Sequence, residues 1–275
     1  MSTANQATAA TGPGAGTAAA FEFLNGWADR IFVVSLRRDT ERRTRMTERL
    51  AGLRFEFFDA VDKKDLDRAQ LLRDGLYDER RVRRAFRVGR DMPLGHIGCS
   101  LSHRALYNEM VAKGWDRLVV FEDDVVPREP VVANVADALR ELPPSFELCY
   151  LGYWQNEVVT PRARAKQLTY VALAPFGLSR WRPGEALRLL PRPFSAHLRR
   201  AGRHMCTHAD AISREGARKL AEAQTPVAYA ADQLLTMLVL GGKLEAYVTS
   251  PSLFGQETLE HSAGYSGLAS QTDTD

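Results

Sequence analysis

The sequence predicts an α/β fold. Short apolar runs of strand length alternate with amphipathic stretches of helix length along most of the chain. The first three elements are spaced as a strand, a helix and a second strand, the pattern of a βαβ unit with parallel strands. At 275 residues, 45% hydrophobic and 26% charged, the chain suits one large α/β domain or two small ones with ample material for a core.

The elements follow in order. "IFVVSL" (31–36) reads as a buried strand. Asp39 or Thr40 caps a helix that carries Met46 and Leu50 four apart and stops near Gly52. "RFEFFDAV" (54–61) is the second strand. A polar region rich in arginine follows, with Arg80, Arg81, Arg83, Arg84, Arg87 and Arg90. "CSLSHRALYNEMVAKG" (99–114) places Cys99, His103, Leu106 and Met110 on one helical face, with Gly114 as its stop. "RLVVFE" (117–122) is a strand, and "PVVANVADALREL" (130–142) a helix closed by Pro143-Pro144. "FELCYLGY" (146–153) and "THADAIS" (207–213) are strands, "REGARKLAEA" and "AYAADQLLTMLVLGG" helices, and "KLEAYVTSP" a last strand. Residues 154–205 yield no clear element. The Ala/Thr/Gly-rich start, 1–25, is expected to be a disordered tail with no secretory signal; 26–258 form one domain, and 259–275 are a flexible tail.

Composition narrows the function classes. A formal charge of +3 is too small to imply nucleic-acid binding. Cys99, Cys149 and Cys206 are far apart, with no CxxC pair, so neither a zinc ribbon nor a disulfide scaffold is expected. Buried free thiols in a reducing cytoplasm are the expectation. No run approaches the ~18–20 apolar residues of a membrane span.

"LVVFEDDVVP" (118–127) holds Glu122, Asp123 and Asp124 at the carboxyl end of an apolar strand. Ligands gather at such strand ends in open α/β sheets. Residues two apart point the same way, so Glu122 and Asp124 converge and Asp123 is opposed or turned into the loop. Hard carboxylate oxygens suit Mg²⁺ or Mn²⁺, which would offset their mutual repulsion. An exposed acidic turn capping the next helix is the plainer alternative.

"GHIGCSLSHRALY" followed by "LVVFEDDVVP" resembles glycosyltransferase family 25, which includes bacterial lipopolysaccharide and collagen galactosyltransferases. "IFVVSLRRDTERRTRM", "FEFFDAVD", "YLGY", "THADAISREGARKL", "AADQLL" and "PSLFGQ" match further segments in the same order, covering about 30–256. Four positions depart from the pattern: Cys206 where a glycine is usual, Asp210 where an aromatic is, Ala231 where an acid is, and His96 where an acid is common.

The resemblance implies a GT-A-like fold, a mixed, mostly parallel sheet flanked by helices. It also implies an inverting transfer of a hexose, most often galactose from UDP-galactose, to a hydroxyl of a glycan such as lipopolysaccharide or another surface polysaccharide. Mn²⁺ (or Mg²⁺) is then the expected cofactor, bound directly by Asp124, with Glu122 on the ribose or a metal water and Asp123 in support. Arg37, Arg38, Ser102 and His103 are donor-binding candidates, against a solvated helix start for the arginines and a packed core position for His103. His208 or His261 could add a metal ligand. Asp232 is the first candidate general base and Asp210 the second, with helix capping the alternative for Asp232. The Arg80–Arg90 cluster is a solvated face or meets acidic lipid headgroups, which would place the enzyme in the cytoplasm, peripheral on the inner membrane face. The competing classes are a metal-dependent phosphoryl hydrolase, for which no second acid cluster is evident, and a noncatalytic binder of acidic polymers.

Overall fold

The computed structural model describes residues 14–86 and 91–257. In chain order these form α1 (Ala15–Trp27), β1 (Arg30–Ser35), α2 (Thr40–Arg49), β2 (Glu56–Asp59), α3 (Arg68–Arg73), α4 (Glu79–Phe86), α5 (Leu94–Lys113), β3 (Arg117–Glu122), β4 (Val125–Pro127) and α6 (Val135–Arg140). There follow β5 (Leu148–Trp154), α7 (Pro161–Leu173), α8 (Pro183–Leu187), β6 (Arg192–Pro193), β7 (Leu198–Arg200), β8 (Met205–Ser213), α9 (Arg214–Ala223), α10 (Ala231–Leu240), β9 (Ala246–Thr249) and β10 (Phe254–Gln256).

The main sheet has the order β2-β1-β3-β8-β5-β9-β7-β6, and β4 pairs separately with β10. β1 is parallel to β2 and to β3, as the βαβ reading requires. β8 runs antiparallel between β3 and β5, and β5 is again parallel to β9. The carboxyl ends of β1, β2, β3, β5 and β9 therefore share one edge, while β8 enters from that edge and crosses it beside Glu122. The expected α/β class, a mixed sheet flanked by helices, is what the chain forms.

Helices cover both faces. On one, α1, α2 and α6 bury Phe21, Leu24, Met46 and Leu50 against Ile31, Val33, Val119 and Phe121. On the other, α5, α9 and α10 bury Leu106, Met110, Leu220, Leu234 and Leu238 against Val120, Leu148, Ile212 and Val248. Alternation along β3 splits its residues between these layers. α2 begins as expected, with the Asp39 carboxylate accepting from the Arg42 amide at 3.3 Å. α9 approaches the start of β5 so closely that a Cβ on Gly216 would lie 2.0 Å from the Glu147 carbonyl oxygen.

Three expectations need correction. The presumed tail 1–25 contains α1, whose Ala20, Phe21 and Leu24 are buried in the core. α5 starts at Leu94 rather than near Cys99, capped by Pro93. Of the three thiols only Cys149 is fully buried, whereas Cys99 and Cys206 are partly exposed. Residues 1–13 and 258–275 of the two expected tails, together with His261, Arg87 and Arg90, lie outside the described residues.

α1 is held at its amino end by Glu129, whose Oε1 accepts from the Thr17 amide at 2.7 Å and from the Thr17 hydroxyl. The carboxylate satisfies a first-turn N–H and faces the positive end of the helix. Glu129→Ala is expected to cost about 1 kcal/mol and to speed proteolysis ahead of Trp27. An unchanged melting temperature together with unchanged proteolysis would show that the contact does not hold α1.

Candidate functional site

The three acids separate because β3 ends at Glu122 and a turn carries Asp123 and Asp124 into β4. Asp123 turns toward α2: its Oδ1 accepts from Arg42 Nη1 at 2.7 Å and its Oδ2 from Ser35 Oγ at 2.8 Å. Glu122 and Asp124 instead face one shared amide. Gln256 Nε2 donates to Glu122 Oε2 at 3.4 Å and to Asp124 Oδ2 at 3.1 Å. Gln256 reaches them because β10 pairs antiparallel with β4, setting Gln256 opposite Val125. Glu122 Oε1 also accepts from Thr207 Oγ1 at 2.8 Å, on the entering end of β8.

These acids close one end of a cleft of about 440 Å³ at the carboxyl edge of the sheet. Ser35, Arg38, Arg42, Asp62, Lys63, Cys99, Ser102 and His103 line the rest. Arg38 is paired with Asp62. Arg37 is exposed and does not line the cleft. Ser102 serves the fold as well: its Oγ accepts from the Val61 amide at 2.8 Å and donates to the Gly98 carbonyl at 2.7 Å, tying α5 to the chain leaving β2.

Burial sets the electrostatics. It pushes the Glu122 carboxyl up to about 7, helped by the charges of Asp124, Asp232 and Asp123 and opposed by the Thr207 hydrogen bond. Burial brings His103 down to about 4, so its imidazole is neutral at pH 7. Its Nδ1 lies 3.3 Å from Tyr107 Oη, while its Nε2 is buried with no protein partner. Cys99, His103 and Glu122 each bring a potential ligand atom within 4.8 Å of the others. The Cys99 thiol, however, is raised by burial and then by Glu122 and Asp232, so it stays protonated. Glu122 and Asp124 bring hard carboxylate oxygens, the donor type that suits a divalent ion such as Mg²⁺ or Mn²⁺.

The two candidate bases differ sharply. Asp210 lies within β8 at 1% exposure, and burial followed by the charge of Glu122 holds its carboxyl well above the usual range. At that depth it is shielded from any acceptor hydroxyl at the cleft. Asp232 is half-buried on the first turn of α10, and its charge is felt at Glu122, Cys99 and Cys206. Its Oδ2 accepts from the Cys206 amide at 3.4 Å, and the N-cap of α10 is Ala230 with no side-chain cap, so Asp232 bridges to β8 rather than capping its own helix.

His208 is not brought to the acids. Its Nε2 lies 3.2 Å from the Phe254 carbonyl. A carbonyl only accepts, so that nitrogen carries the proton and offers no lone pair to a metal. Arg42, Asp62, Lys63, Thr207 and Gln256 belong to the site but were not singled out from sequence. For Gln256 a signal existed, because it closes the matched "PSLFGQ" segment.

An α/β sheet with convergent acids beside a cleft at its carboxyl edge is the arrangement in which open α/β proteins bind their ligands. Residues 28–235 match the family described as Glycosyltransferase family 25 (LPS biosynthesis protein), and the chain belongs to that family. It is 31% identical over 166 residues to human "Inactive glycosyltransferase 25 family member 3", covering 58% of this chain and 27% of that protein. It is 39% identical over 105 residues to a Drosophila melanogaster "Glycosyltransferase 25 family member", covering 35% of this chain and 16% of that one. It is 27% identical over 166 residues to mouse "Procollagen galactosyltransferase 2", covering 58% and 26%. The matched stretches thus span about a quarter or less of those relatives. The crystal structure of apo mouse xyloside xylosyltransferase 1 is also similar, at a TM-score of 0.39 and 13% identity, covering 84% of this chain and 77% of that one.

Two measurements probe this geometry. Between the ordinary glutamate pKa and about 7, the folded protein keeps a proton on Glu122 that the unfolded chain has lost, so stability falls as pH rises through that window. Glu122→Gln should flatten that loss and raise the melting temperature at pH 8 relative to pH 5, by roughly 2–4 °C per kcal/mol recovered. An unaltered pH profile would show that Glu122 titrates normally. Cys206 stands at φ 66°, the left-handed region that favours glycine. Cys206→Gly should therefore stabilise the fold by about 1 kcal/mol, and a lower melting temperature would refute the strain.

Proposed function

We propose that this chain is a metal-dependent, inverting hexosyltransferase that moves galactose from UDP-galactose to a glycan hydroxyl, with lipopolysaccharide or another surface polysaccharide as the acceptor class. The observation that carries the reading is the convergence of Glu122 and Asp124 on the single Gln256 amide, which sets two carboxylates close together at the carboxyl edge of the sheet. Asp124 and Glu122 would hold Mn²⁺ or Mg²⁺, and turning the Gln256 amide would offer a third oxygen. The ion's contribution is Lewis-acid stabilisation of the departing diphosphate.

The remaining roles fall to side chains around the cleft. Arg42 and Arg38, fixed by Asp123 and Asp62, give the cleft oriented cations for phosphate oxygens. Asp123 then acts by positioning Arg42. Neutral His103 has a free Nε2 that suits a hydrogen bond to the donor rather than a charge contact. Asp232 would take the acceptor proton as the anomeric centre passes through an oxocarbenium-like state.

No described helix is long and apolar enough to cross a membrane, which is compatible with the expected cytoplasmic, peripheral location. Thermal shift with UDP, with and without Mn²⁺, tests donor binding. Stabilisation by UDP that needs the metal and vanishes in Asp124→Ala supports the reading. Asp232→Asn should lose about 10²–10⁴-fold in turnover with UDP affinity kept. Metal-dependent UDP binding without UDP release against any sugar nucleotide and glycan would instead make the chain a binding protein, in keeping with the name of its human relative.

A further inference from the structure

α7 buries a polar residue and exposes apolar ones. The face it turns inward carries Ala163, Gln167, Tyr170 and Ala174, with Gln167 buried and donating to the Ala186 and Leu187 carbonyls at 3.0 and 3.1 Å. The opposite face, Pro161, Ala165, Leu168 and Ala172, is apolar and exposed along its whole length. These residues are spaced i, i+4, i+7 and i+11, so they form one stripe. The stripe runs into the turn beyond the helix, where Gly177 at φ 69° throws Phe176 and Leu178 outward. Leu168 is 61% exposed, Phe176 77% and Leu178 71%. Single exposed apolar residues are ordinary, but a continuous stripe ending in a protruding aromatic is not.

Charge around the stripe indicates what covers it. Residues 161–188 carry six arginines and lysines (162, 164, 166, 180, 182 and 188) and one acid, Glu185. The cationic character continues beyond α8, where Arg192 is opposed by both Arg188 and Arg200.

We propose that the α7–α8 segment is a membrane-docking face, on which Leu168, Phe176 and Leu178 enter the interface of an anionic bilayer while Arg162, Arg164, Lys166, Arg180 and Arg182 meet its headgroups. An apolar stripe opposite a buried face, with basic flanks and an aromatic tip, is the design of an interfacial helix. The apolar atoms protrude instead of lining a groove, so a fluid surface accommodates them without a shaped pocket. The segment leaves from the carboxyl end of β5 and reaches the end of α10, where Arg188 donates to the Leu240 carbonyl at 3.2 Å. The inference rests on surface chemistry alone and stands whether or not the transfer reaction does.

The test is co-sedimentation of the full chain with phosphatidylcholine vesicles, with and without about a quarter phosphatidylglycerol. The protein should bind the anionic vesicles and not the neutral ones. L168S/F176S/L178S should lower binding at least roughly tenfold, and R180E/R182E about fivefold per cation removed, with both melting temperatures unchanged. Because the variants alter exposed residues, an unchanged melting temperature separates lost docking from lost folding. Equal binding by the wild type and the triple serine variant, or no binding to anionic vesicles, would overturn the proposal. So would a dimer in light scattering that the triple variant converts to monomer, since the stripe would then belong to a second copy of the chain.

Discussion

The carboxyl edge of the sheet depends on how a carboxylate is tolerated at the end of a buried strand. β3 delivers Glu122 into surroundings that raise its pKa to about 7, and the turn after it adds two more acids. The chain resolves this conflict unequally. Asp123 is neutralised by Arg42 and fixed by Ser35. Glu122 and Asp124 receive one shared amide, and Glu122 a hydroxyl as well. Neutral donors satisfy lone pairs without cancelling charge. The repulsion between the pair therefore remains, expressed as a proton that Glu122 gives up reluctantly. Two carboxylates that share one amide at a cleft, with the Asp124 charge raising Glu122, have the electrostatics that a bound cation relieves.

The same constraint explains why β8 matters. Inserted antiparallel between β3 and β5, it sets Thr207 against Glu122 and seals Asp210 behind it. Burial, and then the nearby charge of Glu122, both raise the Asp210 carboxyl above its ordinary range. Asp232 then reaches β8 from α10 through the Cys206 amide. That amide belongs to the residue in the left-handed conformation, so the backbone strain lies where β8 must be aimed at the site. Glycine is the residue that meets such a φ angle without strain, and the chain carries Cys206 there.

Much of this was legible in advance. Strands such as 31–36 and 117–122 announce themselves because they are buried on both faces and read as unbroken apolar runs. The convergence of Glu122 and Asp124 followed from the two-residue period, although the actual agent is a turn and an amide supplied by β10. Gln256 and Arg42 are harder to see, since each joins the acids through tertiary pairing that no local pattern encodes. β4 and β10 have three residues each, too few to show alternation. α1 was hidden by an alanine- and glycine-rich start that resembles a linker until Phe21 and Leu24 are seen in the core.

The segment 154–205 was opaque for a different reason. Amphipathic reading assumes that the apolar side of a helix faces the core. α7 reverses this, burying Gln167 as a hydrogen-bond donor to the end of α8 and turning Leu168 outward. A periodic search finds the stripe but assigns it to the interior, where the cations on both sides make no sense, and so the pattern reads as noise. Once Gln167 is known to be the inward residue, the cations and the apolar stripe become parts of one surface, and the illegibility of the sequence itself marks a helix whose apolar face was not selected to pack against its own domain.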